Sequence, residues 1–172
     1  MITGAIALAA IVGSVVTTWL TLRHQRQAED QRRRHERHMR LLESAVMAAV
    51  DFLAAADRTS RARQAVGTAT ISFDGVRSSG NEQTYQLFLA KLEGAREDAY
   101  AATADAKNAY AAIRLLIPSV TGQARRYLDL CVEADAHPDK GKADRERARQ
   151  AVEETIQRAF GGDLPADWMF SA

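Results

Sequence analysis

Apolar and polar positions follow three successive patterns along this chain of 172 residues. Residues 2–22 hold no charged side chain, residues 23–40 are almost wholly polar, and from residue 41 onward apolar positions recur at helical spacing. Leu42, Ala45, Ala49, Phe52 and Ala56 alternate by three and four, and this helix is predicted to run to Val66, just before Gly67. The next helix carries a longer seam. Tyr85, Phe88, Leu92, Ala95, Ala99, Ala102, Ala106, Ala109, Ile113 and Leu116 occupy heptad positions a and d without a break. Asn81 with Glu82 is a reasonable start for it and Pro118 a firm stop. Alanine fills the middle of both seams, which predicts a close antiparallel pair joined by residues 67–80, while Gly94 falls outside the seam. Within that connector Asp74-Gly75 sits between β-branched and aromatic residues, a hairpin-turn signal. A flexible loop is the expected form and a short ribbon over residues 68–79 the alternative, because an isolated hairpin is marginal.

Two shorter helices complete the pattern. Ser119 or Thr121 is expected to cap one that reaches about residue 136 and turns Val120, Ala124, Leu128, Cys131 and Val132 inward. His137-Pro138-Asp139-Lys140-Gly141 reads as a turn, and residues 142–160 as a last helix with Ala148, Val152, Ile156, Ala159 and Phe160 apolar. Gly161-Gly162 ends it. The tail, residues 161–172, is polar apart from Leu164, Trp168, Met169 and Phe170, which either dock on the bundle or form a peptide read by another protein. The expected class is all-α: a transmembrane helix (1–22) continuing into a basic stalk (23–40), then an antiparallel bundle (41–160) with a long alanine-rich hairpin, and a tail.

The membrane reading rests on length and flanks. The 21 uncharged residues 2–22 would form a helix about 31 Å long, matching a hydrocarbon core of roughly 30 Å. Trp19 lies near one end, where an indole suits the interface. A cleaved signal peptide would carry basic residues ahead of a shorter apolar core and a small-residue cleavage site; here the run passes directly into Arg23, His24 and Arg26. Because every flanking arginine follows the span, the N-terminus is expected outside and the remainder in the cytoplasm. Ala5, Ala9, Gly13, Thr17 and Thr21 recur every four residues as one small-residue ridge. Such a ridge permits close packing against a second span, a homodimer included; the plain alternative is a mildly hydrophobic anchor.

Charge sharpens the second segment. Residues 23–40 contain seven arginines against Glu29, Asp30 and Glu36, a net +4, within a chain of net +1. A basic block directly after an uncharged one is a membrane pattern before it is a nucleic-acid pattern. Arg23, Arg26, Arg32, Arg33, Arg34, Arg37 and Arg40 are thus candidate contacts for anionic lipid headgroups on a solvated helical stalk. Nucleic acid is disfavoured, since no helix-turn-helix, zinc module or aromatic stacking platform accompanies them.

Candidate chemistry adds little. There is no phosphate-binding glycine loop, no Ser-His-Asp or Cys-His arrangement, and His24, His35, His38 and His137 do not cluster at ligand spacing. Cys131 lies on a predicted buried stripe, so it reads as a small core residue rather than a nucleophile, and as a single cysteine it permits no internal disulfide. No catalytic residue, cofactor or metal is expected.

The short uncharged N-terminus, GSVVTTWL, the arginine-rich stalk, the alanine-rich body and the passage YAAIRLLIPSVTGQARRYL together resemble a loose group of actinobacterial single-span membrane proteins. Some of these are linked to plasmid spread between mycelial cells, and the likeness, one of architecture, carries no site residues. The expected function is a non-enzymatic membrane-tethered interaction or scaffold protein that presents a cytoplasmic bundle to a protein partner. The alternatives are an accessory membrane protein of DNA transfer or a phage-type envelope process and, last, an unrecognised enzyme.

Overall fold

The computed structural model describes residues 2–77, 82–134 and 141–160; in the first helix the side chains of residues 2–18 and 20 lie outside that description. Every regular element among the described residues is helical: α1 (Ile2–Arg77), α2 (Glu82–Leu116), a 3₁₀ turn (Pro118–Val120), α3 (Thr121–Val132) and α4 (Lys142–Ala159). The chain divides into two units, Met1–Leu42 and Glu43–Ala172.

In the first unit residues 21–41 are exposed on every face of α1. The segment is helical for local reasons: it lacks Gly and Pro, it is rich in Arg and Gln, and Arg32 donates to Glu36 one turn on at 3.0 Å. Among the described residues no helix is long and apolar enough to cross a membrane. The expected span, residues 2–22, has most of its side chains outside them.

The second unit holds the core. Ala45, Ala49, Phe52 and Ala56 of α1 are buried against Ala106 and Ile113 of α2, with Val120, Ala124, Tyr127, Leu128 and Cys131 closing the layer before and within α3. Val152 and Ile156 bring α4 onto the same cluster. The seam on α2 follows the heptad: Leu92, Ala99, Ala106 and Ile113, seven residues apart, are buried. Its d positions Ala95, Ala102 and Ala109 are half-buried, and Leu116 has come out to solvent. Aromatic contacts set the antiparallel register. Phe52 lies 6.3 Å from Tyr110, while Phe73, farther along α1, lies 5.1 Å from Tyr85 near the start of α2.

One buried hydroxyl ties the pair together. Oγ1 of Thr59 stands 3.0 Å from the carbonyl of Ala55 in its own helix and 2.9 Å from that of Ala102 in α2. Alanine seams permit this, because only methyl groups separate the two backbones.

Three expectations need correction. The helix does not end at Gly67, and the connector is neither loop nor ribbon as far as Arg77: residues 67–77 continue α1. Gly67 is buried inside the helix, and Gly141 alone among the described glycines has positive φ. The β-branched and hydroxyl residues that suggested a strand instead bond back to their own helix, Thr68 to Gln64 (3.1 Å), Thr70 to Val66 (2.8 Å) and Ser72 to Thr68 (3.0 Å). The Phe73–Tyr85 contact extends the helical pair past the Asp74-Gly75 signal, so tertiary packing overrides turn propensity. Second, neither Ser119 nor Thr121 caps α3 by its side chain. The 3₁₀ turn does part of this work: Val120 N–H bonds Ile117 (3.0 Å) and Thr121 N–H bonds Pro118, so the first donor of the new helix is already engaged. Third, α3 stops at Val132, earlier than residue 136. Residues 78–81, the turn at 135–140 and the tail with Leu164, Trp168, Met169 and Phe170 lie outside the described residues.

Candidate functional site

The polar chemistry of the bundle collects where α1, α3 and α4 meet. Asp57 follows the apolar run of α1, Tyr127 sits on the inner stripe of α3 between Ala124 and Cys131, and Arg149 stands on α4 between Arg145 and Val152. The carboxylate of Asp57 takes one bond on each oxygen: Tyr127 Oη donates to Oδ1, and Arg149 Nη1 donates to Oδ2 at 3.0 Å. The same guanidinium donates through Nε to Glu153 at 2.9 Å. Four side chains from three helices thus form one continuous latch. Phe52 packs edge-on against the Tyr127 ring at 6.3 Å, which leaves the phenol little freedom to turn away.

The electrostatics follow from this burial. Burial pushes the Tyr127 phenol well above its ordinary range, and the neighbouring Cys131 and Asp57 push it further. Burial also raises the Cys131 thiol to about 11. Burial alone would lower Arg149, but the carboxylates of Glu153 and Asp57 outweigh it and hold the guanidinium charged. At neutral pH the phenol and thiol are therefore protonated. Cys131 is fully buried, as its stripe position implied.

An open cleft of about 370 Å³ lies over this latch. Its cations are Arg61 from α1 and Lys142, Arg145 and Arg149 from α4; its carboxylates are Asp57 and Glu146; Ser60 and Gln64 add neutral donors. Arg145 is only 9% exposed. Its Nη1 comes within 3.4 Å of the point where a Cβ on Gly141 would stand, so the missing side chain makes room for a guanidinium. Gly141 is needed twice over, since it also starts α4 in the left-handed conformation with φ of 76°.

The residues singled out by sequence are placed differently. Ala5, Ala9, Gly13 and Thr17 fall every four residues along α1, but their side chains lie outside the described residues; Thr21 is exposed. Arg23, Arg26, Arg32, Arg33, Arg34, Arg37 and Arg40 are all exposed on α1. Arg23 stacks over Trp19 with its guanidinium carbon 5.4 Å from the ring centroid. His35 and His38 are exposed as well, and among the described residues no group of His, Cys, Asp and Glu could hold a metal ion.

Sequence reasoning missed the latch and the cleft above it. A signal was present: Arg145, Arg149, Val152 and Ile156 share the inward stripe of α4, and a charge on an apolar stripe calls for a partner on a neighbouring helix. No known protein family, curated protein or solved structure matches this chain.

Proposed function

We propose that this chain is a non-enzymatic, membrane-tethered interaction protein, anchored by residues 2–22, with its stalk and bundle in the cytoplasm. The reading is carried by one observation: a helical segment exposed on every face and bearing seven arginines directly follows 21 uncharged residues. An isolated polar helix of this kind gains nothing from burial, whereas beside a bilayer its arginines both hold orientation and meet anionic headgroups. The bundle then offers surface rather than reacting groups. Its buried phenol and thiol are held protonated, and Tyr100, Leu87 and Leu115 remain well exposed on α2. The small-residue ridge supplies a route to a homodimer in the membrane.

Fractionation tests the anchor. The full chain should stay with membranes through a carbonate wash, and removal of residues 1–22 should release the remainder; recovery of the full chain in the soluble fraction would overturn the proposal. A C-terminal alkaline phosphatase fusion should be inactive, and strong activity would reverse the orientation. For the ridge, Gly13→Ile should weaken self-association of the span in a membrane two-hybrid assay while Ile6→Leu leaves it intact. For the stalk, replacing Arg32, Arg33 and Arg34 with Gln should weaken salt-sensitive binding to anionic liposomes.

A further inference from the structure

We propose that the outer face of α2 pairs with the same face of a second copy of this chain, as an antiparallel helix pair. A row of positions from Leu87 to Leu115 steps by three and four through four heptads, and all nine of them are exposed. These are the c and f positions of the heptad whose a and d positions face the core, and a helix buried on one side normally carries polar residues there. Here only Glu97 and Asn108 are polar, and the rest are Leu, Ala or Gly. Leu87 is 55% exposed, Leu115 80%, and Tyr100 beside the row 70%. A Cβ on Gly94 would meet nothing within 4 Å, so the bundle leaves the row open there. An apolar repeat sustained over this length argues for a second helix.

The charges beside the row select the partner. Lys91, Asp98 and Asp105 stand on one flank, Glu93, Tyr100 and Lys107 on the other. Two copies of α2 laid antiparallel about Tyr100 set Glu93 opposite Lys107 of the second copy, and Lys91 opposite Asp105 of the second copy. Two-fold symmetry repeats both pairs, against one meeting of like charges, Asp98 with its own counterpart. The same register lays Leu87 over Ala111 and Gly94 over Ala104, so large side chains meet small ones and the backbones can approach closely. A parallel pair fails by the same rule: Glu93 would face Asp98 twice, Glu97 would face itself within the row, and no opposite charges would meet. Lys91, Asp105 and Lys107 have no opposite charge three or four residues away on α2, in contrast to Arg32, Arg125 and Arg147, so their own helix offers no counter-ion. Every residue of this face belongs to Glu43–Ala172, so the inference goes beyond the anchor and its ridge and depends on neither.

Crosslinking of the full chain in detergent tests both the face and its direction. A chain carrying Glu93→Cys, mixed with a tagged chain carrying Lys107→Cys, should give the mixed dimer with a short bismaleimide, and neither chain should couple to itself. Tyr100→Cys should couple to itself. The native thiol is fully buried, so the parent chain serves as the blank. Self-coupling of the Glu93→Cys chain would reveal a parallel pair, and no coupling at any of the three positions would leave the face to a different protein; either result overturns the proposal. The mixed product should form equally with Gly13→Ile in place, and its loss there would assign the contact to the membrane ridge instead. Sedimentation in that same background weighs the charges. Lys107→Glu should weaken self-association about tenfold, since it turns two exposed pairs into repulsions. Adding Glu93→Lys should restore the parent affinity, a recovery that a misfolded variant cannot show. Ala101→Arg should leave the chain monomeric with unaltered helix content. A double variant no better than Lys107→Glu alone, or an Ala101→Arg chain that still pairs, would sink the idea equally.

Discussion

Two stretches of the same helix reach the same backbone conformation by different means. Residues 21–41 of α1 are exposed on every face, yet two turns farther on Ala49, Phe52 and Ala56 have no exposed surface at all. The first stretch is helical through propensity and a pair such as Arg32–Glu36, interactions worth a few tenths of a kcal/mol each. The second is helical because helices α2, α3 and α4 bury it, and burying one large apolar side chain contributes about 1.5–3 kcal/mol. Regular structure is therefore no guide to where stability resides. The stalk takes its order from the helix it extends, while the bundle holds its own.

The largest expected effect lies in the buried stretch. Phe52→Ala removes a ring that touches Tyr110 and Tyr127 at the centre of the core, and it should cost about 3–5 kcal/mol in denaturant unfolding. A loss near that of a surface substitution would mean that the bundle is not held at this point. Next comes the latch. Asp57→Ala leaves a buried phenol and the Arg149 guanidinium without their shared acceptor, at about 1–3 kcal/mol. Tyr127→Phe on the Asp57→Ala background should then recover part of the loss, since it removes one of the orphaned groups.

The buried thiol gives the comparison a pH axis. Cys131 is raised from an ordinary value near 9 to about 11, so between those values the folded state retains a proton that the unfolded chain has released. Stability is fully present below pH 9 and should fall by up to about 2 kcal/mol as pH rises towards 11. The Tyr127 phenol, also raised by burial, acts in the same direction. Melting curves across this range should flatten in Cys131→Ala relative to the parent chain, and an equally steep fall in that variant would remove Cys131 from the account. The smallest effect belongs to the stalk. Glu36→Gln breaks the exposed pair with Arg32 and should change unfolding by less than about 0.5 kcal/mol. Amide exchange in residues 26–40 should also be much faster than in 45–56; equal protection would give the stalk a packing partner.

Periodicity by itself determined much of this molecule. The a positions Leu92, Ala99, Ala106 and Ile113, the inward placement of Ala124, Leu128 and Cys131, and the stop before Pro118 all follow from local spacing and the missing proline N–H. These features concern residues within a turn or two of one another, where helix geometry leaves little choice. Two decisions were made only in three dimensions. Residues 67–77 read as a connector because Gly, Thr and Asp-Gly favour turns, but contact with α2 through Phe73 and Tyr85 carries the helix through them. The latch joins Asp57 to Tyr127 and Arg149, 70 and 92 residues away. Such partners lie beyond any periodic pattern, since a stripe shows which side of a helix faces inward but not which side chain on another helix will meet it. That choice was left to the packing of α1, α3 and α4, which brought two donors within reach of one carboxylate and set the cleft above them.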